Sequence, residues 1–184
     1  MEFGIDTFGD ITAGRDGALL PDDAVIRNVI EEAVLADELG LDAVGVGEHH
    51  RNDFAISSPE MVLAAIAART SRIRLATAVT VLSSDDPVRV FERFATLDAI
   101  SSGRAEAVVG RGSFTESFPL FGYDLHDYEE LFEEKLRLFA QLMGGGRVTW
   151  KGRLTQDLAD VELHPRLASG PLPTWVAVGA RPSR

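Results

Sequence analysis

Glu48, His49 and His50 stand in a row at the end of the stretch DAVGVGEHH (42–50). They bring a carboxylate together with two of the chain's four histidines. Such groups serve two chemistries, metal ligation and acid–base catalysis. Consecutive residues of an extended strand project to opposite faces, which argues against three neighbours sharing one metal ion. No H-E-x-x-H helix is present, and His126 and His164 fall in loop-like contexts, so no metal site is expected. Alternation instead puts His49 in phase with Gly45 and Gly47, and Glu48 and His50 in phase with Val44 and Val46. Valines suit a face packed on helices, and glycines leave room. His49 is therefore expected to face a cavity as a neutral hydrogen-bond donor or general acid/base. Glu48 and His50 are expected to brace the following loop, RNDFAISSP, as a structural polar pair.

Small residues recur at the ends of other strand-like stretches. Ala76 and Ala78 share a phase in IRLATAVTVL (73–82), and RAEAVVGRG (104–112) ends in Gly110, Arg111 and Gly112. One glycine alone means only that a helix packs closely. Recurrence over three strands points to a cavity in which a flat ligand lies against backbone. A cation among glycines at a strand end suits a phosphate. Phe114, Phe118, Phe121 and Tyr123 either line the mouth of that cavity or fill a loop core, and the sequence leaves both readings open. The run EELFEEKLR reads as a solvated helix face with a Glu133–Arg137 pair, and Asp85-Asp86 as a helix cap.

The elements that must position these residues alternate regularly. FGIDTF (3–8), LDAVGVG (41–47), IRLATAVTVL (73–82), RAEAVVGRG (104–112) and PTWVAVGA (173–180) read as strands. Helical periods cover 22–40, 58–70, 86–101 and 126–143. Asp22 or Asp23 is the expected cap of the first helix and Gly40 its stop; Ser58 and Pro59 open the second. RVTWKGRL (147–154) reads as a small hairpin turning at Lys151-Gly152. Short apolar strands alternating with long helices predict an α/β fold of parallel βαβ units, either doubly wound or a (β/α) barrel. The first βα turn carries no glycine-rich dinucleotide fingerprint, which weakens the doubly wound reading. Five strands do not close a barrel of eight. The chain is thus expected to be a fragment, to be completed by another chain, or to form an open sheet.

Composition narrows the function classes. The 184 residues are 45% hydrophobic and 26% charged, ordinary for one globular domain over 1–184. A net charge of −11 disfavours nucleic acid and anionic membranes as partners. No apolar run approaches the roughly 18 residues that span a bilayer. The absence of cysteine rules out disulfides and fits a cytoplasmic setting.

Taken together, LGLDAVGVGEHH, the long block from RIRLATAVTVL through AVVGRGS, FGYD and PLPTWVAVGA resemble the bacterial-luciferase-like family of flavin-dependent monooxygenases. The likeness is collinear over nearly the whole chain. It implies a (β/α)8 TIM-barrel type of fold, of which only the first five βα units are present. It also implies reduced FMN as cofactor, with the deazaflavin F420 as the alternative some relatives use. Oxygen, a small organic substrate and a separate NAD(P)H-dependent flavin reductase complete the implied partners, together with a homo-oligomer or a second chain that completes the barrel. By position, His49 matches the family's catalytic histidine. Ala78 and Val79 match a non-prolyl cis peptide beneath the flavin ring. Gly110 matches a flavin-facing position that is cysteine in some luciferases, so thiol chemistry is excluded here. Arg111 matches a phosphate-binding arginine, and Gly179, Ala180 and Ser183 part of the phosphate cradle. Family members are longer, and this chain alone is expected to be impaired or inactive. The rival readings are a non-catalytic flavin-binding protein, an F420-dependent oxidoreductase of the same fold and a metal-dependent barrel hydrolase.

Overall fold

The computed structural model describes residues 1–167 and 170–178. Its sheet contains β1 (Gly4–Thr7), β2 (Ala43–Val46), β3 (Arg74–Thr77), β4 (Thr80–Val81), β5 (Ala105–Gly110) and β8 (Thr174–Val176), every pairing parallel. The order runs β1-β2-β3-β5, with β4 and β8 also bonded to β5. Neighbours in space therefore follow chain order, as in a barrel, whereas a doubly wound sheet reverses direction at a switch point. No helix among the described residues is long and apolar enough to cross a membrane.

Four long helices, α1 (Asp22–Leu39), α2 (Pro59–Ala67), α3 (Pro87–Ser101) and α5 (Tyr128–Met143), cover one face of the sheet. The core lies between them and the outward phase of the strands. Val44, Val46, Leu75, Ala107 and Val109 meet Ala33, Leu63, Ile66, Phe94 and Phe139 there, all fully buried. Burying each large apolar side chain contributes about 1.5–3 kcal/mol, so this single layer carries most of the stabilisation.

The helix signals were largely legible. Gly40 ends α1 in the left-handed conformation at φ 84°. The Asp86 carboxylate caps α3, accepting from the backbone N–H of Val88 (2.8 Å) and Arg89 (3.2 Å). Ser58 is the N-cap residue of α2 and Pro59 begins it. The cap of α1 is Pro21 rather than an aspartate; Asp22 and Asp23 sit in its first turn, where they complement the helix dipole.

Four local expectations are corrected. The third strand is interrupted after Thr77, whose hydroxyl donates to the Val108 carbonyl (2.8 Å), and resumes as β4. The hairpin pairs β6 (Arg147–Trp150) with β7 (Leu158–Glu162), and so turns through residues 151–157, not at Lys151-Gly152. Glu134 causes this: its carboxylate accepts the N–H groups of Arg153, Leu154 and Thr155 at 2.8–2.9 Å and pulls the loop onto α5. A short helix, α4 (Ser117–Phe121), and a 3₁₀ turn, Leu125–Asp127, precede α5. Finally, EELFEEKLR is only partly solvated. Glu133 and Arg137 pair on the exposed side at 3.4 Å, but Lys135 is 1% exposed. Its ammonium donates to the Ser83 carbonyl (2.7 Å) and lies 3.7 Å from the Tyr123 ring centre, and burial pushes it down to about 8.

Candidate active site

A cavity of about 970 Å³ opens at the C-terminal ends of the parallel strands. His49, Ala78, Val79, Gly110 and Arg111 all line it, so the structure brings together the described residues to which the family resemblance gave a catalytic or cofactor role. Gly179, Ala180 and Ser183 lie outside the described residues.

Gly45 in β2 and Gly47 just past its end do not leave the empty space expected of them. A Cβ on Gly45 would stand 3.2 Å from the Cβ atoms of Ala78 and Asp6, and one on Gly47 would collide with the Phe8 ring. A Cβ on Gly110 would stand 2.8 Å from Val79 Cγ2. The three glycines therefore admit neighbours, Phe8 and the Ala78–Val79 segment, and those neighbours form the cavity floor. The Ala78–Val79 peptide is cis.

His49 sits above this floor in an aromatic cage. Its ring stacks on Phe54 (4.1 Å between centres, 25° between planes) and meets the edges of Phe8 (5.1 Å) and Phe114 (5.2 Å). Burial pushes the imidazole below its ordinary value of 6.5; the carboxylates of Asp10, Asp53 and Glu48 pull it back without cancelling that effect. His49 is thus neutral near pH 7, with one ring nitrogen a donor and the other an acceptor.

Glu48 and His50 form the expected pair at 2.9 Å, but they brace a different element. The second oxygen of Glu48 accepts from Val81 N–H at 2.8 Å, tying the end of β2 to β4 instead of to the loop that follows. Both residues line the cavity beside His49. Strand alternation predicts opposite faces only while the strand lasts, and β2 ends at Val46. Behind Glu48, a buried Glu60 accepts from Thr80 (3.1 Å). Burial raises the Glu60 carboxyl, and the nearby Arg93 guanidinium only partly offsets it.

Arg111 points its Nε at the Glu129 carboxylate (3.1 Å), with its guanidinium 4.4 Å from the Phe132 ring centre. Tyr128 donates to the Gly112 carbonyl (2.8 Å), and burial raises its phenol. The phenylalanines divide between the two readings left open by sequence. Phe114 lines the cavity, Phe118 is fully buried against Tyr128, and Phe121 lies edge-on to His50. Sequence reasoning missed Arg51. It forks onto Asp53 (2.8 and 3.0 Å), reaches Glu116 (3.0 Å) and covers the Phe114 ring at 4.5 Å, latching two loops across the mouth. The Arg-x-Asp spacing was a readable local signal; the contact to Glu116, 65 residues away, was not.

The family model described as luciferase-like monooxygenase matches residues 1–183. The chain belongs to that family. Among relatives of this luciferase-like monooxygenase chain, 4-hydroxyprotoasukamycin monooxygenase of Streptomyces nodosus subsp. asukaensis is 35% identical over 156 residues, 83% of this chain and 42% of that protein. F420-dependent glucose-6-phosphate dehydrogenase of Amycolatopsis mediterranei is 30% identical over 162 residues, 83% of this chain and 48% of that protein. Among solved structures, monooxygenase RslO1 from Streptomyces bottropensis superposes with a TM-score of 0.84 at 29% identity, over 96% of this chain and 53% of that one. The luciferase-like chain spans about half the length of the relatives it matches. Its parallel α/β sheet corresponds to that part of their barrels.

The site suits the ring of a flavin-type cofactor. Its floor is a backbone segment bordered by glycines, its walls are aromatic and aliphatic, and burial disfavours a charge on the imidazole beside it. Arg111 and Tyr128 are the described groups suited to a phosphate.

Proposed function

We propose that this chain forms the flavin-binding part of a cytoplasmic monooxygenase that uses reduced FMN and O2 to oxygenate a small organic molecule, with a separate reductase supplying the flavin. The observation that carries this reading is the caged His49 lining the same cavity as Ala78, Val79 and Gly110. Bound reduced FMN would supply the electrons that activate O2. The chain's own residues do the rest. Ala78, Val79 and Gly110 offer the ring a flat seat. Phe8, Phe54 and Phe114 exclude water from around His49, which strengthens every polar contact made there. His49 holds or moves a proton at its free ring nitrogen. Arg111 and Tyr128 hold the phosphate. In isolation the chain is expected to turn over poorly, because it spans about half the length of its relatives.

A second reading, an F420-dependent oxidoreductase, is favoured by the 30% identical dehydrogenase relative. Equilibrium dialysis of the purified chain against FMN and F420, followed by oxygen consumption with NAD(P)H and a flavin reductase, separates the readings. The proposal expects FMN to bind more tightly than F420, and His49→Ala to retain FMN while losing oxygen use. Preference for F420 transfers the reading to hydride transfer. Tight FMN binding with no oxygen use above His49→Ala makes the chain a binder only. Failure to bind either cofactor rejects a flavin site.

A further inference from the structure

Arg111 is the one arginine or lysine among the described residues that line the cavity, which it shares with Asp10, Glu48, Glu116 and Glu129. It is not free. Glu129, in the first turn of the 16-residue α5, places its carboxylate 3.1 Å from Arg111 Nε, while Phe132 of the same helix supports the guanidinium plane. An arginine beside the first turn of a helix is a combination suited to an anion. Here a carboxylate of the chain itself occupies the arginine.

Resting on the cofactor reading above, we propose that Glu129 is an internal competitor for the phosphate tail of the flavin, holding Arg111 until a phosphate ester displaces it. The exchange is sterically open, because the Glu129 side chain is 67% exposed and can swing into solvent. It is electrostatically costly if Glu129 stays near, since a phosphate dianion and a carboxylate then share one arginine. Glu129 thus lowers the affinity for phosphorylated flavin while leaving the affinity for the bare ring system alone. The device sets how readily FMN enters and leaves, which suits a chain that receives its flavin from another protein.

The test is a set of binding titrations with FMN and with riboflavin, which has the same ring and no phosphate, at low and high salt. Glu129→Gln should tighten FMN about three- to ten-fold at low salt, leave riboflavin unchanged, and lose most of the gain at high salt. Arg111→Gln should weaken FMN toward the riboflavin value. Glu133→Gln removes the same charge one turn along the helix, away from Arg111, and should change neither ligand. The inference is overturned if Glu129→Gln leaves FMN unchanged or weaker, tightens both flavins equally, or is matched by Glu133→Gln. If the unaltered chain binds neither flavin, the cofactor reading itself fails, an outcome distinct from FMN binding that ignores Glu129.

Discussion

Burial and charge act on His49 in opposite directions, and burial wins. Its titration midpoint should therefore lie below 6.5, readable from the imidazole signals in NMR. Phe54→Ala uncovers the stacked face and should move the midpoint up toward 6.5. A midpoint unmoved by that change would mean the cage does not set the shift. The stability consequence has a definite sign. The unfolded chain binds a proton at His49 more readily than the folded chain. Stability is therefore fully present above about 6.5 and is lost as pH falls through the lower folded value. His49 lines the cavity that alternation pointed it toward, but Glu48 and His50 of the opposite phase line it too, so alternation does not by itself account for the placement. The placement of Glu48 and His50 was not legible in the sequence, because their positions depend on where β2 stops and on the Val81 N–H that Glu48 finds in another strand.

At the scale of elements, single buried charges join what the hydrophobic pattern leaves loose. Asp37, in the last turns of α1, accepts the backbone N–H groups of Ser71 (3.1 Å), Arg72 (3.0 Å) and Ile73 (2.7 Å), and so fixes the turn that enters β3. Burial alone would raise its carboxyl, but those three donors outweigh it and hold the group below its ordinary 3.8. Asp37→Ala strands the donors and should cost about 2–4 kcal/mol in urea unfolding; a loss under about 0.5 kcal/mol would mean water replaces the carboxylate freely. Lys135 provides the complementary case between α5 and the segment after β4. Its amine falls from 10.5 to about 8 on folding, so between these values the unfolded chain holds more protons. Stability should rise with pH across that window, and Lys135→Met should flatten the rise. Nothing in the period of EELFEEKLR marks Lys135 as buried, since a lysine among glutamates reads as solvated until the Ser83 carbonyl and the Tyr123 face arrive from distant sequence. The break between β3 and β4 was hidden for the same kind of reason. The run IRLATAVTVL is uniformly strand-like, and the Thr77 contact to Val108 that accompanies the break is 31 residues away.

Among the described residues the sheet has two edges: β1 pairs there with β2 alone and β8 with β5 alone, which leaves two rows of backbone donors and acceptors open. Apolar side chains accompany them: Phe3 and Ile5 on one edge, and Trp175, 58% exposed, with Val176 on the other. Parallel βαβ units were readable from the alternation, the barrel-like sequential order only from the family resemblance, and an open sheet was one of three outcomes that counting strands left. Which side chains the edges expose was not readable, because it depends on the curvature of the sheet. Two forces then compete. Edge pairing and apolar burial favour association, while a net charge of −11 opposes it through repulsion that salt screens over about 8–10 Å. The chain should therefore associate reversibly in sedimentation velocity, more strongly as salt is raised, with a blue shift in tryptophan emission as Trp175 leaves water. Ile5→Lys and Val176→Lys should each weaken the association, and the double variant should be close to monomeric. Repulsion-limited edge pairing requires the salt dependence and the edge variants to agree. A monomer at every concentration and salt would show that the edges are already protected, and association indifferent to both lysines would place the contact on the helices.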